Sequence, residues 1–183
     1  MASSFGERVI GAAKLDVNIY EEVEADASAL GQAMAVVVMA SLAAGIGSLR
    51  DGGFMGLVMV TVAALVGWFI WAGLTYFIGT KMLPEPQTQA DMGEMLRTIG
   101  FASSPGLLRV LGILPFIGGI VSLITSIWML VAFVIAVRQA LDYKSTGRAV
   151  AVCFIGFIVY LMIAFGMTLV MGTGAAIMGA GSP

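Results

Sequence analysis

The chain contains no histidine, a single cysteine and few charges, and each shortage closes off some chemistry. Without imidazole, a Ser/His protease cannot be assembled, an imidazole metal centre cannot be built, and a haem or chlorophyll lacks its usual axial ligand. The one cysteine, Cys153, lies in an apolar run, so a disulfide within the chain and paired-thiol redox or metal chemistry are excluded. Charged residues make up 11% of the sequence, against about 25% in a soluble domain, and the mean hydropathy is +1.01. That leaves too little polar surface to cover a globule in water. Net charge is -2, and no run of Lys or Arg could grip nucleic acid, which is not an expected partner. Residues 1–28 hold no apolar stretch of leader length, so the first apolar run is expected to act as the insertion signal.

What the chain has in abundance is apolar sequence, at 60% of 183 residues, with all 11 carboxylates outside its long runs. A charge in hydrocarbon is costly and backbone amides there must be satisfied within helices, so this distribution predicts an all-α polytopic membrane protein. A crossing helix needs about 20 apolar residues. Runs over 30–49, 53–80, 116–137 and 149–171 meet that length without a charged side chain. The second would be ~42 Å long at ~1.5 Å per residue, so it must tilt, bend at Gly67 or Gly73, or protrude. A further stretch, 95–114, is apolar enough to cross but holds Arg97 and Arg109 and is interrupted by Ser103, Ser104 and Pro105.

Basic residues arbitrate, because short cytoplasmic loops collect Lys and Arg. Five spans with a cytoplasmic N-terminus place Arg8, Lys14, Lys81, Arg97, Arg138, Lys144 and Arg148 inside, leave Arg50 outside and put Arg109 within the third span. Four spans with a re-entrant 92–114 give an even split instead. The expected architecture is therefore a five-span bundle, N-terminus in and C-terminus out. An amphipathic cytoplasmic segment (1–28) precedes the membrane domain (29–172), and a Gly-rich tail (173–183) follows it. Two overlapping capping-box patterns, Thr88–Asp91 and Asp91–Glu94, start a helix whose Met92, Met95, Leu96 and Ile99 share one face, suited to the inner leaflet. The acidic N-terminal segment is expected to be a solvated collar.

Little in this inventory carries catalysis. The carboxylates all lie outside the spans, which disfavours a coupled pump, and Lys14, Lys81 and Lys144 sit at interfaces where they stay charged and make poor bases. No catalytic, cofactor-binding or metal-binding residue is expected. Arg109 resists a bland account. It lies ~9 Å below the end of its span at ~1.5 Å per residue, within snorkelling reach of headgroups. The sharper reading pairs it with Asp51, the acid of the outer loops, beside Gly52 and Gly56, which would admit a close helix; Pro105 and Pro115 bracket the segment. Small residues four apart, Gly31 with Ala35, Ser41 with Gly45 and Ala43 with Gly47, favour close packing in the first span, within the bundle or against a partner. Trp68, Trp71 and Trp128 read as core or lipid packing rather than a ligand cage.

Three segments carry a family resemblance: GWFIWAGLTYFIGTKMLPEPQT, LRTIGFASSPGLLRVLGILPFIGGIV and SIWMLVAFVIAVRQALDYKSTGRAVAVCFIGF. Together they resemble the Yip family of Ypt-interacting multi-pass membrane proteins, particularly its bacterial members. The middle one, a Ser-Pro break before a short span ending in Pro and paired glycines, is the most specific. The resemblance implies a five-span bundle with a cytoplasmic N-terminus, and a bacterial inner membrane as its location. Eukaryotic members bind prenylated Rab-type GTPases through an Asp-Leu-Tyr-Gly-Pro stretch; this chain has YEEVEADASALGQA there, which argues against carrying GTPase binding over. The expected function is a non-enzymatic scaffold or accessory subunit whose partners are the bilayer and other membrane proteins or itself. The alternative is a transporter or channel, for which Thr61, Thr75, Ser122, Thr125 and Ser126 are the available polar groups.

Overall fold

The computed structural model of the chain describes residues 2–47, 49–114 and 116–180, with side chains described for all of these except 47, 49–53, 164 and 167–180. Every regular element among them is helical. The chain starts with α1 (Phe5–Ala13), capped by a reciprocal box in which Glu7 accepts from the Ser4 amide at 2.7 Å and the Ser4 hydroxyl accepts from the Glu7 amide. It stops where Leu15 turns left-handed at φ 64°: the Asp16 amide reaches Gly11 O and the Leu15 amide reaches Ala12 O, both at 3.0 Å. Asp16 then caps α2 (Val17–Ala25). The resulting helical hairpin is closed by the buried Tyr20 hydroxyl, which donates to Ala12 O at 3.0 Å.

This hairpin is no solvated collar. Ala12, Tyr20 and Val23 are fully buried, the Trp128 indole donates to Ala13 O at 2.7 Å, and Phe5 stacks edge-on against Phe101. Of the acidic residues that suggested solvation, Glu21 is exposed, whereas Glu22, Glu24 and Asp26 are partly buried. Arg8, 2% exposed, is turned inward onto Glu22 (2.9 Å), Asp26 (2.7 Å) and Gln32 (3.1 Å), tying the hairpin to the start of α3 (Leu30–Gly47).

α3 and α4 (Leu49–Phe77) fold back on each other so closely that a Cβ on Gly45 would stand 2.2 Å from Leu57 Cδ1. α4 runs on into one π-helical stretch, Ile78–Met82. The carbonyls of Gly79 and Leu83 there are satisfied by the Tyr143 hydroxyl, at 3.0 and 2.7 Å, from the turn between α6 (Gly118–Ala140) and α7 (Thr146–Ala180). That turn is itself a left-handed cap at Asp142 (φ 53°), with Tyr143 N–H on Arg138 O and Asp142 N–H on Gln139 O. Arg148 donates to Pro84 O at 2.6 Å and pairs with Glu85 at 3.5 Å, so the 83–88 loop and the α6–α7 turn are clamped together at one end of the bundle.

The expected span over 95–114 is not a continuous helix. α5 (Met92–Phe101) ends after ten residues, and the chain resumes as a 3-10 run, Ser104–Ile113. Pro105 explains the break, because it lacks an amide hydrogen and pushes the preceding residue out of the α region. The Ser104 hydroxyl takes up Phe101 O at 2.6 Å. Of the two capping boxes foreseen, the Asp91–Glu94 pair forms, at 2.7 and 2.8 Å, while Thr88 closes the preceding turn on Glu85. α5 is not laid on a leaflet either: Met95 through Phe101 are buried, packed by α2, α3, α4 and α6.

The broken segment occupies a lane between α3 and α6. Gly100 abuts Ala33 and Gly106 abuts Ala40 along α3, while Gly106 also meets Met129, and Gly112 meets Gly118, along α6. It thus runs parallel to α3 and antiparallel to α6. By length and composition four helical stretches could cross a membrane, 27–46, 54–82, 118–140 and 146–163. α7, as described, takes in much of the glycine-rich tail.

Candidate site at Arg109 and the bundle cavity

Where the lane opens, the elements enclose a cavity of about 270 Å³. Its walls are Val37, Ala40, Ser41 and Ala44 of α3, Val60, Ala64, Gly67, Trp68 and Trp71 of α4, and Ile99, Ser103, Arg109, Met129, Phe133 and Tyr160 from the other segments. Small residues on α3 and α4 leave the space, and aromatic rings frame it. Trp68 is fixed by its indole N–H on Leu96 O at 3.1 Å. Trp71 sits between Phe133 and Tyr160, each ring centroid 6.4 Å away, and its Nε1 is a buried donor without a hydrogen-bond partner.

Arg109 closes one end. It is half-buried, carried on the 3-10 run, and its guanidinium donates from Nε to the Thr125 hydroxyl at 3.3 Å and from Nη2 to the Ser126 hydroxyl at 3.0 Å. Among the described residues the ion pairs are Arg8 with Glu22 and Asp26, and Arg148 with Glu85; none involves Arg109. The side chain of Asp51, its foreseen partner, and residue Pro115 lie outside the described residues, as does any packing at Gly52. Gly56 has open space where a Cβ would stand, with no described atom within 4 Å. Pro105 is buried at the start of the 3-10 run. Of the small-residue pairs in α3, Ser41 and Gly45 face the bundle, whereas Gly31 faces open space.

The wall offers no acid–base machinery. Its two serines are bonded to backbone, Ser41 to Val38 O at 2.8 Å and Ser103 to Ile99 O at 3.5 Å, and no carboxylate or thiol lines it. The geometry can hold an apolar body with one anionic or acceptor end placed against Arg109.

A second, wider cleft of about 520 Å³ lies at the clamped end, lined by Glu21, Glu24, Glu94, Arg138, Asp142 and Lys144 among others. Burial and then the neighbouring Asp142, Glu94 and Glu21 push the Glu24 carboxyl up to about 7, against the opposing pull of Arg97. Glu85 is held below its ordinary range, first by the Lys144 amide.

Sequence reasoning overlooked Arg97 as a structural residue. It is 7% exposed, and its Nε donates to Val23 O at 3.0 Å and Glu24 O at 3.1 Å, with Nη2 also on Glu24 O, so a cation closes the C-terminal end of α2. A lone basic residue midway along a short helix was the available signal, and it does not name its partner.

Among the described residues, seven α-helices, four of them in stretches long and apolar enough to cross a bilayer, and a broken segment between them that is buried over 95–106 define a multi-pass helical membrane protein. Residues 18–166 match the family model of the Yip1 domain, and the chain belongs to that family. The match starts within α2, so the docked N-terminal hairpin is partly inside the family domain rather than ahead of it. Searches of curated proteins and of solved structures return no match.

Proposed function

We propose that the chain is a non-enzymatic membrane scaffold or accessory subunit, which packs against another membrane protein or a second copy of itself in a bacterial inner membrane. One observation carries this reading. On α4, Met55, Met59, Val62, Val66 and Phe69 recur at alternating spacings of four and three, and each is more than half exposed, from 53% to 69%. That spacing is the seam along which a further helix packs. Only 11% of an apolar 18-residue window within 54–82 is buried within the chain, which leaves the seam available.

The five-crossing topology, N-terminus in, belongs to the same proposal. It is supported by the lane: the 83–88 loop and the α6–α7 turn meet at one end, so the segment from Met92 to Ile113 carries the chain to the opposite end before α6 returns it. The transporter alternative is weakened by its own polar groups. Thr61, Thr75 and Thr125 donate to carbonyls of their own helices at 2.8–2.9 Å, and Ser126 is taken by Arg109. Four of the five polar groups are thus engaged, and Ser122 lies exposed on α6.

A photo-crosslinking residue in place of Met59 or Val66, activated in native membranes, tests the reading. A discrete protein adduct, absent when the probe replaces Val58 on the flank of the seam, is expected. Adducts to lipid alone from a monodisperse single bundle would overturn it.

A further inference from the structure

We propose that the bundle cavity is a binding site for one chain of an anionic phospholipid drawn from the surrounding bilayer, with the lipid phosphate on Arg109. The site is independent of the scaffold reading. Charge comes first. Arg109 is half-buried in an apolar surround, its only partners among the described residues are two neutral hydroxyls, and its Nη1 makes no hydrogen bond there. A guanidinium so placed lacks a compensating anion, and its fork suits phosphate.

Shape comes second. Arg109 lies three residues beyond Gly106, which abuts Ala40, and so stands toward the Ala44 end of α3, whereas Ile99 adjoins Gly100, which abuts Ala33, toward the other end. From Val60 to Trp71 the wall follows α4 for ~16 Å at ~1.5 Å per residue. One leaflet of a ~30 Å hydrocarbon core is about 15 Å deep. An acyl chain descending from a headgroup at Arg109 would therefore fill the cavity along its length. Its contacts would be aliphatic and aromatic: Ala40, Ala64, Gly67, Trp68, Trp71 and Phe133.

Access comes third. Val60 and Tyr160 line the cavity yet are 43% and 36% exposed on the outer surface of the bundle. A chain can thus enter sideways from the bilayer without the bundle opening.

The test uses the full chain, purified and delipidated in mild detergent, and titrated with phosphatidylglycerol, with phosphatidylcholine of the same acyl chains, and with inorganic phosphate. Phosphatidylglycerol is expected to raise Tm where the other two do not, and a version brominated on the acyl chain is expected to quench a tryptophan signal that Trp71→Phe diminishes. Arg109→Gln should weaken phosphatidylglycerol binding about tenfold, the scale of one lost charge-assisted contact, while Arg109→Lys retains most of it. Ala64→Phe fills the apolar wall without touching the cation and should weaken binding as well, which keeps the test decisive if Arg109→Gln fails to fold. Equal response to both lipids, an equal response to inorganic phosphate, quenching untouched by Trp71→Phe, or full binding by Ala64→Phe would each overturn the proposal.

Discussion

Two arginines, Arg8 and Arg97, hold the N-terminal hairpin to the bundle, each at a position where its charge is mostly buried. Arg97 meets the last carbonyls of α2, and its loss would leave them without a donor in a dry site. An unsatisfied buried carbonyl costs about 1–3 kcal/mol, so Arg97→Met should lower the Tm of the detergent-solubilised chain by that equivalent, more than Arg138→Met at the partly exposed end of α6. Glu24 sets a pH dependence. Its carboxyl titrates at about 7 when folded against an ordinary 4.5, so between these values the folded state holds a proton that the unfolded state has released. Stability then falls as pH rises through that window. Melting curves from pH 5 to pH 8 should show Tm declining, and Glu24→Gln should flatten the slope. None of this pairing was legible in the sequence, since each cation read alone is a plausible interfacial residue. What brings Arg97 to Val23 is the reversal of the chain at Leu15 and its return at Ala27–Ala29, and no local spacing shows where those turns deliver α2.

At the scale of elements, start and stop signals were readable and burial was not. The Asp91–Glu94 box and the Ser103–Pro105 break lie where local chemistry puts them, because capping and proline geometry act within four residues. The helix between them reads as amphipathic, with a polar side holding Arg97 and Thr98, yet both residues are buried. The difference is tertiary: Gly100 lets α5 approach Ala33 so closely that a Cβ would fall 2.7 Å from the alanine methyl. Gly100→Ala should therefore force a shift of backbone against backbone and cost about 1–3 kcal/mol, whereas Gly31→Ala, facing open space, should leave Tm unchanged or slightly raised. One distant anchor of the α1–α2 hairpin is the Trp128 indole on Ala13 O. Trp128→Phe should speed limited proteolysis near Lys14 while the long helices stay protected; unchanged cleavage would mean that the anchor is dispensable.

For the whole molecule, the absence of acids from the long apolar runs foretold a helical membrane bundle, and the described residues include four helical stretches long and apolar enough to cross a bilayer. The fifth passage differs most. It is built from a short α-helix and a 3-10 run rather than one continuous helix, because Pro105 interrupts it; Gly100 and Gly106 let neighbouring elements enclose its part over 95–106, whereas Leu108, Val110, Leu111 and Ile113 stay exposed. Such irregular backbone is tolerated at membrane depth only where protein surrounds it. Whether that lane carries the chain across decides the side on which the α6–α7 turn lies. On a Cys153→Ala background, Lys14→Cys and Ser145→Cys provide exposed thiols at the two places that matter. With a membrane-impermeant thiol reagent applied to each face in turn, five crossings predict that both cysteines react from the cytoplasmic side alone. Labelling of Ser145→Cys from the opposite side to Lys14→Cys would contradict the lane as a crossing, and with it the topology.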